Sequence, residues 1–326
     1  MVEKKKRLVV LVFVLCAAMV MLLGVDKARA GDLPNLALMT ATPGGSWYPI
    51  AGAMAEAIQK HNAKTRIDVI QGGGRINPTA VNDSKGDFGI AMAVTCVDAL
   101  NQQGEYAKKK AHKNIRTLIN LYEGVYQLCT LKDSDIRTIA DIKGKRMMVG
   151  PQGSATVTFS RHALSTAGIT FDDLKKADYV SASNGATMLK DRVVDIFTTG
   201  IGGYPIAAIQ DVAASREVRL VPFSDEAIAK LQKINAGYLK KTIPGGTYNG
   251  QDEDVQTFGG VTMLIVRADL ADETVEQMLA AIFKEEKLLQ GVHKLIKNFS
   301  LKTASSPTGV PFHSGAIKFF KSKGVM

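Results

Sequence analysis

The sequence predicts an α/β protein organised as two parallel sheets with helices packed on them. Three observations carry that expectation. The chain has 326 residues, a length that favours two domains over one. A unit of short apolar strand, Gly-rich turn and amphipathic helix recurs along it. Two apolar segments, near residues 122–131 and 258–266, are placed to carry the chain from one sheet to the other and back.

Residues 1–30 stand apart from this pattern. Lys4, Lys5, Lys6 and Arg7 precede an uncharged stretch of 18 residues and then Ala28-Arg29-Ala30, the arrangement of a secretory signal cleaved after Ala30. The stretch is also just long enough to serve as a membrane anchor, but the small-x-small site favours cleavage and an exported mature chain. Leu15 before Cys16, where a lipidated cysteine needs a small residue, speaks against a lipoprotein.

The repeating unit begins at residue 35. A strand over 36–41 leads into Thr42-Pro43-Gly44-Gly45-Ser46 and a helix over 47–60, whose apolar positions Ile50, Met54, Ala57 and Ile58 form one stripe. A strand over 67–70 leads into Gln71-Gly72-Gly73-Gly74, and one over 88–92 into a short helix near 95–102. Strands alternating with helices imply parallel pairing. The long apolar run 117–131 then meets a short capped helix over 139–144.

The rhythm restarts with a strand over 146–149, the turn Gly150-Pro151-Gln152-Gly153-Ser154 and a helix over 155–167. Strands over 179–181 and 195–199 follow, the second entering Gly200-Ile201-Gly202-Gly203 and a helix over 204–214. A second parallel sheet is implied. After a strand over 218–221 and a helix over 225–234, residues 238–256 read as a long polar connection. The strand 261–266, a helix over 272–289 and a helical tail return to the first sheet.

Composition narrows the function. Hydrophobic residues make up 46% and charged residues 22%, ordinary values for a globular chain. The net charge of +10 falls to +6 without residues 1–30, where 35 basic face 29 acidic side chains. The basic runs, such as Lys108-Lys109-Lys110, lack interleaved aromatics, so no nucleic-acid partner is expected. Cys96 and Cys129 are compatible with one disulfide in an oxidising compartment, but buried free thiols are the favoured reading, since nothing in the sequence brings them together.

Catalytic and cofactor signatures are missing. The turn from Gly72 does not continue as G-x-G-x-x-G, and Gln251 follows Gly250 where a phosphate-binding loop requires Lys. His61, His112, His162, His293 and His313 show no metal-binding spacing, and His162 reads as a surface residue. Asp252-Glu253-Asp254 lacks the alternation of a calcium loop. The expectation is no enzyme, no cofactor and no metal.

What remains is a set of Gly-rich turns at strand-to-helix junctions. Such turns gather at the carboxyl edge of an α/β sheet, where ligands bind, and each offers free N–H groups at a helix start to a carboxylate or phosphate. They also serve simply as turns and caps. The aromatics of Trp47-Tyr48-Pro49 and Tyr204-Pro205, expected in the first helical turn, either wall an apolar ligand or staple the turn.

Four motifs extend the reading: Thr42-Pro43-Gly44-Gly45-Ser46-Trp47-Tyr48-Pro49, Gly150-Pro151-Gln152-Gly153-Ser154, Gly203-Tyr204-Pro205 and Thr242-Ile243-Pro244-Gly245-Gly246-Thr247-Tyr248-Asn249-Gly250-Gln251-Asp252-Glu253-Asp254-Val255. In this order they resemble the solute receptors of TRAP transporters, TAXI type. The resemblance implies a two-lobed class II periplasmic binding protein fold with two interdomain crossings. It places lobe I at 31–127, lobe II at 128–257, and the return to lobe I at 258–326.

The resemblance further implies that a small organic anion, a dicarboxylate or an amino acid such as glutamate, binds between the lobes and passes to TRAP-type membrane permease subunits. Its ligand contacts carry over to Gly45, Ser46, Trp47 and Tyr48; to Gly73, Gly74 and Asn77; to Gly153, Ser154, Ala155 and Thr156; and to Gly203 and Tyr204. Arg75 departs from the family pattern, which has a small or apolar residue there, and is expected to clamp a carboxylate. A signalling receptor, or an enzyme on the same fold, are the alternative functions.

Overall fold

In a computed structural model, residues 33–41, 46–152 and 154–326 are described. The expected signal segment and the ligand candidates Gly45 and Gly153 lie outside these residues. The first half of the chain runs β1 (Leu36–Met39), α1 (Trp47–His61), β2 (Ile67–Ile70), α2 (Ile76–Asn82), β3 (Phe88–Met92) and α3 (Ala93–Asn101), followed by the long strand β4 (Ile115–Leu131). Ile50, Met54, Ala57 and Ile58 of α1 are all buried, as their spacing requires for a helix with one apolar face.

A short 3-10 helix, Ile139–Ile142, is held by a capping box between Thr138 and Asp141. Then come β5 (Arg146–Met148), α4 (Ala155–Ser165), β6 (Lys176–Asp178), α5 (Ala182–Lys190), β7 (Ile196–Gly202), α6 (Ala207–Ala213), β8 (Val218–Leu220) and α7 (Asp225–Ile234). Strand β9 (Leu239–Ile243) and the long β10 (Val255–Arg267) precede α8 (Asp272–Lys284), α9 (Glu286–Val292), α10 (Leu301–Ala304) and α11 (Ser314–Ser322).

The strands form one ten-stranded mixed sheet in the order β2-β1-β3-β10-β4-β7-β5-β6, with β8 on β4 and β9 on β10. This corrects the expectation of two separate parallel sheets. Pairing is parallel at the outer ends, β1 with β2 and β3 and β5 with β6 and β7, but antiparallel throughout the centre. The reason is that β4 and β10 run in opposite directions through the middle and bond directly to each other. The amino-terminal part of β4 pairs with β10, and its carboxyl-terminal part pairs with β7 and β8.

At one end of the antiparallel ladder between the two long strands, glycine faces glycine: Gly260 is opposite Gly124, and Gly259 opposite Val125. A Cβ on Gly259 would fall onto the Gly124 carbonyl oxygen, so only glycine permits the backbones to approach this closely. Beside the crossing, Tyr126 of β4 stacks on Phe258 of β10 with ring centroids 4.6 Å apart. Phe223 and Tyr238 pack edge-on against Phe258, the preferred arrangement of aromatic quadrupoles.

Four local expectations need correction. Residues 179–181 are a loop, and the strand lies three residues earlier; Ser181 instead caps α5, accepting from the Asn184 N–H. Gly200–Gly202 continue β7 rather than turning, with Ile201 opposite Tyr126 and Gly202 opposite Val125. Consequently α6 starts at Ala207, and Tyr204 precedes the helix instead of opening it. The polar connection contains β9, whose alternating exposure suits a strand with one covered face.

Candidate functional site

A cleft of about 630 Å³ lies between the turn after β2 and the start of α4. Gly73, Gly74 and Arg75 line one side, and Ser154 and Ala155 the other. Five of the expected ligand residues, drawn from distant parts of the chain, therefore share one cavity. Its charged lining is Arg75, Lys85 and Lys109 against Asp83 and Glu105.

The turn is shaped by Asn77, whose side chain is fully buried. Its amide nitrogen donates to the carbonyls of Thr40 at 2.9 Å and Ile90 at 2.6 Å, and its oxygen accepts from the Gly73 N–H at 2.9 Å. A Cβ on Gly72 would collide with that oxygen. Asn77 thus ties the turn to β1 and β3, and it does not line the cleft itself.

Arg75 is half-buried and ion-paired to Glu105, and its carbonyl accepts from the Tyr106 hydroxyl at 2.9 Å. Residue patterning did not single out Glu105, a lone acid in a polar loop, yet it faces the expected clamp. Behind this pair sits Asp98 of α3, 6% exposed. Burial pushes its carboxyl up to about 6, against the hydrogen bond from Asn235 and with help from the Glu105 charge.

Across the cleft, Ser154 precedes α4 with an extended backbone and makes no side-chain cap. Its hydroxyl oxygen is buried and has no hydrogen-bond partner among the described residues. Thr199 Oγ1 on β7 is in the same state. Ser154 therefore presents an unused polar atom at the positive end of an eleven-residue helix. Thr156 is wedged between Gly150 and Gly200, where an added Cβ would lie 2.7 Å and 2.5 Å from its side chain.

The remaining candidates are dispersed. The Trp47 ring lies over Gly74, 3.6 Å from where a Cβ would stand, and its indole N–H donates to the Tyr122 hydroxyl at 3.0 Å. Ser46 makes no cap to α1, and Tyr48 is 43% exposed. Tyr204 lines a different cavity. Gly203 packs against Leu295, and its carbonyl accepts from Gln127 at 3.2 Å.

Elsewhere, Cys96 and Cys129 are buried and unbridged, and burial pushes both thiols up. His162 is not a surface residue. It bonds the Tyr238 hydroxyl at 2.7 Å through Nδ1, and burial lowers its basicity. Asp254 accepts from the Gly245 N–H at 2.8 Å and Asp252 pairs with Lys132, so the acidic run closes its own loop. Among the described residues no cluster of metal-binding side chains occurs, and no helix is long and apolar enough to cross a membrane.

Solved structures share this architecture. A TctC solute binding protein from Polaromonas aligns at 15% identity, covering 89% of this chain and 96% of its own, with a TM-score of 0.52. XAC2383 from Xanthomonas citri, solved bound to ATP, aligns at 10% identity over 90% and 96%, with a TM-score of 0.53. The fold is the mixed α/β fold of periplasmic binding proteins, as expected from the sequence. Residues 38–324 match the NMT1-like family over most of the length, and the chain belongs to that family.

Proposed function

We propose that the chain is an exported solute receptor of a TRAP transporter, TAXI type, that binds a small organic anion and hands it to membrane permease subunits without chemical turnover. The observation that carries this reading is the buried, unpartnered Ser154 hydroxyl at the start of α4, in a cleft it shares with Gly73, Gly74 and Arg75. A carboxylate seated there accepts from Ser154 and the free N–H groups of the helix start. Arg75, exchanging Glu105 for the ligand, supplies the balancing charge.

The two segments that cross at Gly124 and Gly259 divide the chain into lobes over 31–127 with 258–326, and over 128–257. The cleft lies between them, so closure of the lobes encloses the anion. Mass spectrometry of the small molecule released by denaturing protein purified from its native periplasm tests the reading. A carboxylate in about one-to-one amount with the chain is expected. Recovery of an uncharged ligand, or conversion of the bound molecule to product, would overturn it.

A further inference from the structure

A second cavity, of about 530 Å³, shares no lining residue with the first. It lies against the crossing strands, with Asn120, Tyr122 and Val125 from β4 and Val261 from β10. Asn120 is 4% exposed. Its amide nitrogen donates to the Ser306 carbonyl at 2.6 Å; because a carbonyl only accepts, this bond fixes which way the amide points. The other end, Oδ1, is out of solvent with no hydrogen-bond partner among the described residues.

A buried acceptor left unmet is destabilising, and Asn120 lines a cavity whose walls include Leu121, Val125, Leu239, Val261 and Leu295. The charged groups of that lining, Glu123 and Lys241, neutralise each other in an ion pair. An anion therefore gains little here, in contrast to the cleft beside Arg75. We propose that this cavity is a second binding site, for a small uncharged molecule that presents a hydroxyl or N–H donor to Asn120 Oδ1 from an apolar body. It does not depend on what occupies the cleft.

The chain contains one tryptophan, and its indole N–H bonds the hydroxyl of Tyr122, a lining residue of the cavity. The Trp47 indole resonance of the ¹⁵N-labelled chain therefore reports occupancy, provided the Gly73 and Gly74 amide resonances of the cleft stay unshifted. Cyclohexanol and cyclohexanone are the probes, equal in size but differing in that only the alcohol donates. Cyclohexanol is expected to shift the resonance saturably at about millimolar concentration, the affinity so few atoms can reach, and cyclohexanone to bind roughly tenfold more weakly.

In Asn120→Leu, folded by circular dichroism, the preference for the alcohol should vanish. Equal binding of the two probes to the wild-type chain overturns the proposal, as does the absence of any indole shift by roughly 10 mM. The wild-type comparison needs no variant, so it decides the matter even if the substitution prevents folding.

Discussion

The side-chain nitrogen of Asn235 donates to Asp98 Oδ1 at 2.7 Å, and both residues are almost wholly buried. The same nitrogen donates to the Val94 carbonyl at 2.9 Å. Asn235 follows α7, whereas Asp98 and Val94 belong to α3, so one amide joins two elements far apart in sequence. The carboxylate at the centre is poorly solvated. Glu105, Cys96, Tyr106 and Tyr238 stand around it, and His162 is bonded to Tyr238.

This arrangement sets a pH dependence. The Asp98 carboxyl titrates from 3.8 in its unperturbed state up to about 6 in the fold, so between these values the folded chain holds the proton more tightly. Its contribution to stability is complete below 3.8 and is lost as pH rises through 6. Asp98→Asn keeps an acceptor for Asn235 but removes the charge. The variant should gain on the order of 2 kcal/mol over wild type above pH 6.5 and nothing near pH 4. Paired thermal melts across that range check it; a constant difference would refute the assignment.

Ser154→Ala separates binding from folding. The hydroxyl makes no cap and has no internal partner, so its removal should leave the melting temperature unchanged or slightly raised. Affinity for a carboxylate solute should fall about tenfold to a hundredfold, the worth of a hydrogen bond to a charged group. Calorimetry beside a thermal melt reads both. A large stability loss with unchanged affinity would remove Ser154 from the site.

The Arg75–Glu105 pair predicts opposite effects from its two members. Arg75→Ala should weaken binding of an anionic solute at least tenfold. Glu105→Gln, which frees the guanidinium from its internal carboxylate, should strengthen it. Both pairing side chains are about one-third exposed, so salt should narrow the gap between the variants. Isothermal calorimetry at two ionic strengths is the measurement, and equal affinities for the two variants would contradict the scheme.

Glycine substitutions contrast two backbone environments. Gly259→Ala drives a methyl into the Gly124 carbonyl and should cost about 3 kcal/mol, as overpacking against backbone does. Gly52, inside α1 with nothing within 4 Å of an added Cβ, should gain up to about 1 kcal/mol when changed to Ala. Denaturant titration gives both values; a neutral Gly259→Ala would mean that the crossing tolerates spreading.

Local periodicity made most elements legible. The strands 67–70 and 88–92 and the helix 225–234 have the bounds expected from their apolar spacing. Strand β9 escaped because Lys240, Lys241 and Thr242 give it a polar surface, and β7 ran past its expected end because Ile201 and Gly202 still pair with β4. The union of two sheets into one depends on β4 bonding to β10, residues more than a hundred positions apart, and no local pattern encodes it. In the candidate site, Gly73, Gly74, Arg75, Ser154 and Ala155 line one cavity. The opposing Glu105 and the inward Asn77 follow from tertiary contacts alone.

The direct ladder between β4 and β10 also constrains how the molecule can move. Two independent connectors could swing like a pair of strings, but hydrogen-bonded neighbours behave as a ribbon, stiff to bending in its plane and compliant chiefly in torsion. Rotation of one end of the sheet against the other must therefore be taken up as extra twist over the few residues around Gly124 and Gly259. Tyr126 and Phe258, stacked beside these glycines, lie nearest that axis. The lobe closure proposed above then works as a small added twist of this ribbon, with the ladder between β4 and β10 kept in place.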